Sequence, residues 1–344
     1  MSRRIAMKRF FSASLAGAAF LLTVSTLPGA TEVVVYTALD QIYSEPLLDQ
    51  FEKTTGIRVL PVYDTEANKT VGLVNRLMAE KARPRCDVFW NNEIARTLVL
   101  KKENVLAPYK SPKADDIPTR YRDPENYWTG FAARARILIA NTELVPENAT
   151  PTSMDDLIDL KWKGKAVIAN PLFGTTSTHT AALFAEIGPA KAKDYFHALK
   201  ENGVTIAAGN AMVRDMVARG ERHFGWTDTD DANGAIEDGS PVKIVVPDQK
   251  EGQIGVLIIP NTVSLVRGAP NPEEGKALID FLLTRETEKY LAHCRSAQIP
   301  VRKGIPIPEN VLKIERLKVM DVDYSEIADT LPESTEFIHN EFVP

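Results

Sequence analysis

Three carboxylates lie within four residues of one another, at Asp228, Asp230 and Asp231. They follow residues 223–227, a short and largely apolar run that predicts a strand, so we expect them at its carboxyl end. Carboxylates that share a small space repel one another unless a cation lies between them. The segment therefore predicts a site for a hard metal ion, an amine or a guanidinium. The alternative is a solvated helix start, because Asp and Thr cap helices and acidic residues favour the first turn.

Two further acidic residues occupy comparable places earlier in the chain. Asp40 follows a predicted strand at residues 32–37, and Glu93 follows another at residues 87–90. Ligands of open α/β sheets bind beyond the carboxyl ends of the strands. If the fold brings Asp40 and Glu93 opposite the 228–231 segment, these residues form one acidic pocket. Zinc and copper are disfavoured as ligands, because the histidines are scattered and lack metal-ligand spacing. The histidines are His179, His197, His223, His293 and His339.

Anion binding is indicated at residues 174–178, Gly-Thr-Thr-Ser-Thr, which open a predicted helix. Hydroxyl groups and backbone N–H groups at a helix N-terminus bind anions, which makes Thr175 and Thr176 candidates. Arg214, one turn into the helix that follows Asn210, could add a bidentate contact to such an anion. Ordinary helix capping and a surface arginine explain the same residues without a ligand.

The elements that must position these residues alternate between strand and helix patterns. Strand patterns at 32–37, 58–63 and 87–90 enclose helix patterns at 44–54 and 70–83. This βαβαβ order implies a parallel sheet. A second series of the same kind begins near residue 136, which indicates a second lobe.

The sequence thus predicts an α/β fold of two lobes, each a mixed sheet flanked by helices, with a ligand cleft between them. The predicted N-terminal lobe comprises residues 31–135 plus 260–305. The predicted C-terminal lobe comprises residues 136–259 plus 306–344. Because the chain passes between the lobes without a flexible linker, we expect a hinge of strands that closes on a ligand.

Residues 1–30 have the pattern of a signal peptide. Four basic residues precede a mostly apolar run at 10–27, and small residues at 29–30 offer a cleavage site. The segment predicts export to the periplasm, by the Sec route rather than the twin-arginine route, although Arg3 and Arg4 are adjacent. Cys86 and Cys294 lie far apart in sequence, and we expect two free thiols, with a disulfide as the alternative.

The net charge and the lack of known catalytic motifs limit the classes of function that the sequence supports. The 344 residues carry a formal charge of −5, and without residues 1–30 they retain 37 basic and 46 acidic side chains. Nucleic acid is excluded as a partner, because phosphate binding needs clustered positive charge. The sequence lacks a nucleophile elbow, a zinc-protease motif, a phosphate loop and a dinucleotide fingerprint, so a binding protein is favoured over an enzyme. The enzymatic alternative is a periplasmic hydrolase that uses Asp230 and Asp231 as a carboxylate pair.

Six short motifs, taken in their order and spacing, resemble those of the bacterial periplasmic ferric-iron-binding proteins, in the type II periplasmic binding-protein class. They are VVVYT at 33–37, FEKTTGI at 51–57, DVFW at 87–90, WKGK at 162–165, GE at 220–221 and NTV at 261–263. The resemblance covers nearly the whole chain after residue 30. It implies a two-lobed receptor that delivers its ligand to the transmembrane subunits of an ABC importer. We expect it to be a monomer.

The resemblance also implies a set of metal-binding residues. The family's positions correspond to Asp40, to Glu93 (or Asn92 if the loop is not gapped) and to the pair Asp230-Asp231. In the family the last two positions are adjacent tyrosines, which this chain lacks.

The same resemblance implies an anion site, because residues 174–178 and Asn210 match the family's positions for the phosphate or carbonate that accompanies iron. The predicted ligand is therefore ferric iron with such an anion, and no other cofactor is predicted. The alternative is an aminoalkylphosphonate or another phosphorylated solute, whose ammonium would face the acidic residues and whose phosphonate would face the hydroxyl groups.

Overall fold

The computed structural model describes residues 31–64 and 70–343. The predicted signal peptide, residues 1–30, lies outside the described residues. The strands are β1 Glu32–Thr37, β2 Arg58–Tyr63, β3 Val88–Asn91, β4 Leu106–Ala107, β5 Thr129–Asn141, β6 Ala166–Ala169, β7 Thr205–Ala207, β8 Phe224–Asp228, β9 Val242–Val245 and β10 Ile258–Val266. The helices are α1 Gln41–Thr55, α2 Val71–Ala79, α3 Ala95–Lys102, α4 Gly174–Glu186, α5 Pro189–Glu201, α6 Asn210–Ala218, α7 Thr229–Glu237, α8 Pro272–Leu282, α9 Arg285–His293 and α10 Tyr324–Phe337.

The first group of strands is the parallel sheet that the βαβαβ pattern predicts. β1 pairs in parallel with β2 on one side and with β3 on the other. β10 then pairs antiparallel with β3, and the first half of β5 pairs antiparallel with β10. The sheet is therefore mixed, and the returning strand β10 comes from a distant part of the chain.

The second group of strands is built in the same way. β6 pairs in parallel with β7 and with β8, while β8 and β9 each pair antiparallel with the second half of β5. β5 is 13 residues long and buried throughout, because it is covered on both faces. Its pairing passes from β10 to β8 between Ala135 and Arg136, so this one strand belongs to both groups.

The residues at several helix ends explain why those helices begin or end there. α1 ends at Gly56, whose left-handed conformation (φ 74°) lets its N–H bond to the carbonyl of Glu52. Pro189 and Pro272 stand in the first turns of α5 and α8, where a missing N–H costs no helical hydrogen bond. None of the helices in the described part of the chain is long and apolar enough to cross a membrane.

The two cysteines are both free thiols. Cys86 is buried beside β3, and Cys294 is partly buried at the end of α9. This arrangement agrees with the expectation of two free thiols and leaves the disulfide alternative without support.

Candidate functional site

A small cleft opens where the carboxyl ends of β1, β3, β6 and β8 approach the middle of β5. One wall is formed by residues 40, 43, 92 and 134, and the other by residues of segments 169–176, 208–214 and 228–231. The cleft encloses about 700 Å³, including its solvent-filled mouth.

Asp228 is the centre of a buried hydrogen-bond network behind the cleft wall. Its Oδ1 accepts from Arg136 Nη1 at 2.8 Å, and its Oδ2 accepts from Thr175 Oγ1 at 2.5 Å and Asn210 Nδ2 at 2.9 Å. Arg136 is fully buried and also donates to Thr176 Oγ1 at 3.1 Å. Both terminal nitrogens of Arg136 are thus bonded, whereas its Nε has no hydrogen-bond partner among the described residues. The network joins β5, α4 and α6 to the end of β8, and protein donors occupy both Asp228 oxygens.

The acidic end of the cleft consists of Asp40, Asp230 and Asp231. Asp40 stands just before α1, and the other two lie in the first turn of α7, where the helix dipole stabilises negative charge. Thr227 Oγ1 donates to Asp231 Oδ2 at 3.2 Å. One carboxylate oxygen from each of Asp228, Asp230 and Asp231 lies within 4.8 Å of the other two. This end of the cleft can therefore hold a cationic group.

Arg134 brings a positive charge to the acidic end. Its Nε lies 3.4 Å from Asp230 Oδ2, and its Nη2 donates to the carbonyl of Asn92 at 3.0 Å. Burial lowers the pKa of Arg134, but the surrounding carboxylates, Asp230 and Asp228 before the others, outweigh burial and raise it. The guanidinium is therefore a permanent charge of the cleft wall.

Tyr43 adds a phenol to the same end. Burial, and then the carboxylates of Asp230, Asp40 and Asp231, raise the pKa of Tyr43 well above its ordinary value. Its hydroxyl is therefore neutral at physiological pH and can donate a hydrogen bond to a ligand.

The anion end of the cleft is formed by the first turns of α4 and α6. Gly174 begins α4 with φ 54°, and Thr175 and Thr176 follow it, both buried. Asn210 begins α6. Because both threonine hydroxyls already take part in the Asp228 network, the groups that face an anion are the first-turn backbone N–H groups. Arg214 lines the same end, and its Nη2 lies 2.7 Å from Asp215 Oδ1.

The sequence matches the family model of bacterial extracellular solute-binding proteins over residues 47–313. The chain belongs to this family. A periplasmic protein of Salmonella typhimurium, provisionally named for binding 2-aminoethylphosphonate, is 30% identical over 272 residues, which cover 77% of this chain and 76% of that protein. Iron uptake protein A1 of Synechocystis is 24% identical over 327 residues, which cover 92% of this chain and 89% of the relative.

Solved structures show the same fold. The periplasmic binding protein AfuA from Actinobacillus pleuropneumoniae, with exogenous fructose-6-phosphate bound, superimposes with a TM-score of 0.81 at 23% identity, over 91% of this chain and 99% of that one. The predicted fold class is confirmed. Members of the family are solute-binding proteins of ABC importers and not enzymes, so the prediction of a periplasmic receptor is confirmed as well.

The solute-binding protein brings most of the predicted site residues together. The predicted residues that line the cleft are Asp40, Thr175, Thr176, Asn210, Arg214, Asp228, Asp230 and Asp231. Among the tyrosines, Tyr43 lines the cleft, whereas Tyr63 and Tyr127 lie away from it.

Glu93 is the predicted residue that lies outside the cleft. It is fully buried, and its Oε1 accepts from the backbone N–H of Arg96 at 3.1 Å. Its Oε2 accepts from Thr178 Oγ1 at 2.7 Å, which ties the start of α3 to α4. The position that lines the cleft is Asn92, as in the ungapped correspondence. Glu93 therefore holds two elements of the solute-binding protein together and does not line the cleft.

The sequence patterns do not identify the two arginines of β5 as site residues. Arg134 and Arg136 are two residues apart, so they lie on the same face of the strand. The usable signal was their presence inside an apolar run, because an arginine in a wholly buried strand needs a charged partner or a ligand.

Proposed function

We propose that this solute-binding protein captures a zwitterion with an ammonium group and a phosphonate or phosphate group, in the first place an aminoalkylphosphonate. One observation carries the proposal: a single small cleft has carboxylates at one end and two helix N-termini at the other. Carboxylates bind an ammonium group, and helix N-termini with a nearby arginine bind a phosphonate. The name of the Salmonella relative supports the same ligand class.

Ferric iron with a synergistic anion is the second candidate. It is supported by the mutual approach of oxygens from Asp228, Asp230 and Asp231 within 4.8 Å and by the iron uptake protein among the relatives. Two features place it second. Protein donors occupy both oxygens of Asp228, and a guanidinium lies beside Asp230.

The proposal includes delivery to the permease subunits of an ABC importer after lobe closure. The lobes are residues 31–135 plus 260–305 and residues 136–259 plus 306–344. The change in β5 pairing between Ala135 and Arg136 supports this division. A ligand that contacts both walls binds the closed form better than the open form, and this difference in affinity drives closure. Export by the Sec route remains part of the proposal.

The test compares ligands that contain one or both ends of the zwitterion. The wild-type protein is titrated by calorimetry with 2-aminoethylphosphonate, ethanolamine and inorganic phosphate. We expect the first to bind at least about tenfold more tightly than either fragment, because only it fills both ends of the cleft.

Native mass spectrometry of protein purified from the periplasm decides between the two candidates. A bound mass that survives dialysis against a chelator supports an organic zwitterion. Loss of a mass equal to one iron on chelation, together with no heat from 2-aminoethylphosphonate, contradicts the proposal and favours the second candidate.

A further inference from the structure

One residue of β5, Ala132, has no counterpart in the strand beside it. Pro260 of β10 pairs with Ala133, and the next residue of β10, Asn261, pairs with Phe131. Ala132 is therefore an extra residue between two paired ones. Its φ is 38°, in the left-handed region that favours glycine. This arrangement is a β-bulge, in which one strand carries a residue that the ladder leaves unpaired.

Two buried side chains bond to the backbone of the extra residue. The N–H of Ala132 donates to Glu288 Oε1 at 2.9 Å, and the carbonyl of Ala132 accepts from Asn261 Nδ2. Glu288 and Asn261 are fully buried, and neither lines the cleft. Buried backbone groups need hydrogen-bond partners, and a bulge disrupts the ladder that normally provides them. Glu288 and Asn261 therefore form a clamp around the bulge.

Further buried contacts fix both side chains of the clamp. Arg302 Nη1 donates to Glu288 Oε2 at 2.8 Å, and the N–H of Val301 donates to Glu288 Oε1 at 2.8 Å. Asn261 Nδ2 also donates to Gln298 Oε1 at 2.8 Å. The clamp thus joins the bulge to α9 and to the segment that follows this helix.

The extra residue decides which face of the sheet the arginines of β5 occupy. Side chains alternate along a strand, so one inserted residue turns the rest of the strand over to the opposite face. Arg134 pairs with Ile259, and Phe131 pairs with Asn261, two residues further along β10. Arg134 therefore shares a face with Phe131. In a regular strand these two residues, an odd number apart, lie on opposite faces.

The face selected by the bulge is the one that carries the carboxylates of the cleft. Arg134 Nε lies 3.4 Å from Asp230 Oδ2, and Arg136 Nη1 donates to Asp228 Oδ1 at 2.8 Å. Asp228 in turn accepts from side chains in the first turns of α4 and α6, which form the anion end. With the arginines on the other face, both ends of the cleft would lose these contacts.

We propose that Glu288 and Asn261 are positioning residues of the cleft: by holding Ala132 as a bulge, they turn the second half of β5 so that its two arginines meet the carboxylates that follow β8. They act through Arg134 and Arg136. This inference goes beyond the proposed function, because it concerns how the cleft is built and applies to either candidate ligand.

The experiment removes one half of the clamp. Asn261→Ala deletes the donor to the carbonyl of Ala132. Asn202→Ala is the matched control, because Asn202 is also buried, also donates through Nδ2 to two backbone carbonyls, and lies outside the cleft. Each protein is titrated with 2-aminoethylphosphonate by calorimetry and unfolded in urea. If an alanine variant fails to fold, Asn261→Ser and Asn202→Ser replace the pair.

We expect both asparagine variants to lose stability, because each leaves buried carbonyls without a donor. Only Asn261→Ala should lose affinity for 2-aminoethylphosphonate, by at least about tenfold. Adding Ala132→Gly should restore part of that affinity, because glycine adopts a positive φ without the clamp. Equal affinities of Asn261→Ala and Asn202→Ala in a wild type that binds the ligand overturn the inference and leave the proposed function standing.

A second measurement needs no ligand. Arg136→Met is introduced into the wild type, Asn261→Ala and Asn202→Ala, and urea denaturation gives the stability that it removes from each. The loss should be smaller in Asn261→Ala than in the other two, because an arginine turned away from Asp228 has no ion pair to lose. Equal losses in all three overturn the inference. If the wild type does not bind 2-aminoethylphosphonate but the losses differ as expected, the proposed ligand is wrong and the positioning role stands.

Discussion

Arg134 and Arg136 are two arginines on the same face of one strand, yet their surroundings differ. Arg136 is fully buried and donates to Asp228, Asn210 and both threonines at the start of α4. Arg134 has one hydrogen bond, to a backbone carbonyl, and an ion-pair contact with Asp230. The cleft lies against Arg134 and not against Arg136. The Nε of each arginine is buried without a hydrogen-bond partner among the described residues. The difference lies in the terminal nitrogens, which in Arg136 bond to side chains that hold the fold together. Arg134 instead borders the cleft.

The largest expected effect is on stability, at Arg136. Arg136→Met leaves Asp228 as a buried carboxylate without its cationic partner, which should lower the free energy of unfolding by about 3–5 kcal/mol. Arg134→Met removes one hydrogen bond and the ion-pair contact with Asp230, and it should cost less, about 1–3 kcal/mol. Urea denaturation of both variants measures the difference.

The control for this comparison is Arg136→Met combined with Asp228→Asn. Because the double variant no longer contains the uncompensated carboxylate, it should recover part of the stability lost in Arg136→Met alone. Equal losses for the two single arginine variants would contradict the division between a structural and a ligand-facing arginine.

The next effect concerns affinity at the acidic end of the cleft. Asp230→Asn with Asp231→Asn keeps the shape and hydrogen-bonding capacity of the first turn of α7 but removes two negative charges. Affinity for 2-aminoethylphosphonate should fall by about 2–4 kcal/mol, because charged hydrogen bonds to the ammonium are lost. Stability should change less than affinity, since two adjacent like charges are removed at the same time. Calorimetry and urea denaturation give the two values.

Glu273→Gln with Glu274→Gln is the matched control. These acidic residues are also adjacent in the first turn of a helix, α8, but they lie outside the cleft. This variant should lose the helix-dipole contribution and the exposed ion pair of Glu273 with Lys276, and it should bind like the wild type. If the aspartate variant binds as tightly as the glutamate control, the acidic run is only a solvated helix start.

The two arginines also show how far sequence reasoning reaches. Strand and helix periodicity predicts the α/β class and the place of Asp40, Asp230 and Asp231 beyond strand ends. These features depend on local chain geometry, which a sequence displays directly. Glu93 could not be distinguished from Asn92 in this way, because which of two neighbours faces a cleft depends on the path of a short loop. The pairing of Arg136 with Asp228, 92 residues apart, required the tertiary structure.

The smallest expected effect is a pH dependence of stability that arises from His179, which lies near Arg136. His179 on α4 is buried, and its ring contacts Trp226 edge-on with a centroid distance of 4.3 Å. The guanidinium of Arg136 lies over the same Trp226 ring at 4.8 Å. Burial, and then the positive charge of Arg136, lower the pKa of His179 well below its ordinary value. His179 is therefore neutral in the folded protein at pH values where it is protonated in the unfolded chain.

The unfolded chain thus binds one more proton below an ordinary histidine pKa of about 6.5, so stability should fall as the pH is lowered. For one such group the free energy of unfolding drops by about 1 kcal/mol between pH 6.5 and 5.5. In His179→Phe this part of the slope should disappear, while a smaller slope from His223, whose pKa burial and Lys165 also lower, should persist. Identical slopes in wild type and His179→Phe would mean that His179 accepts a proton in the folded state, and the surroundings of Arg136 would then not be closed to water.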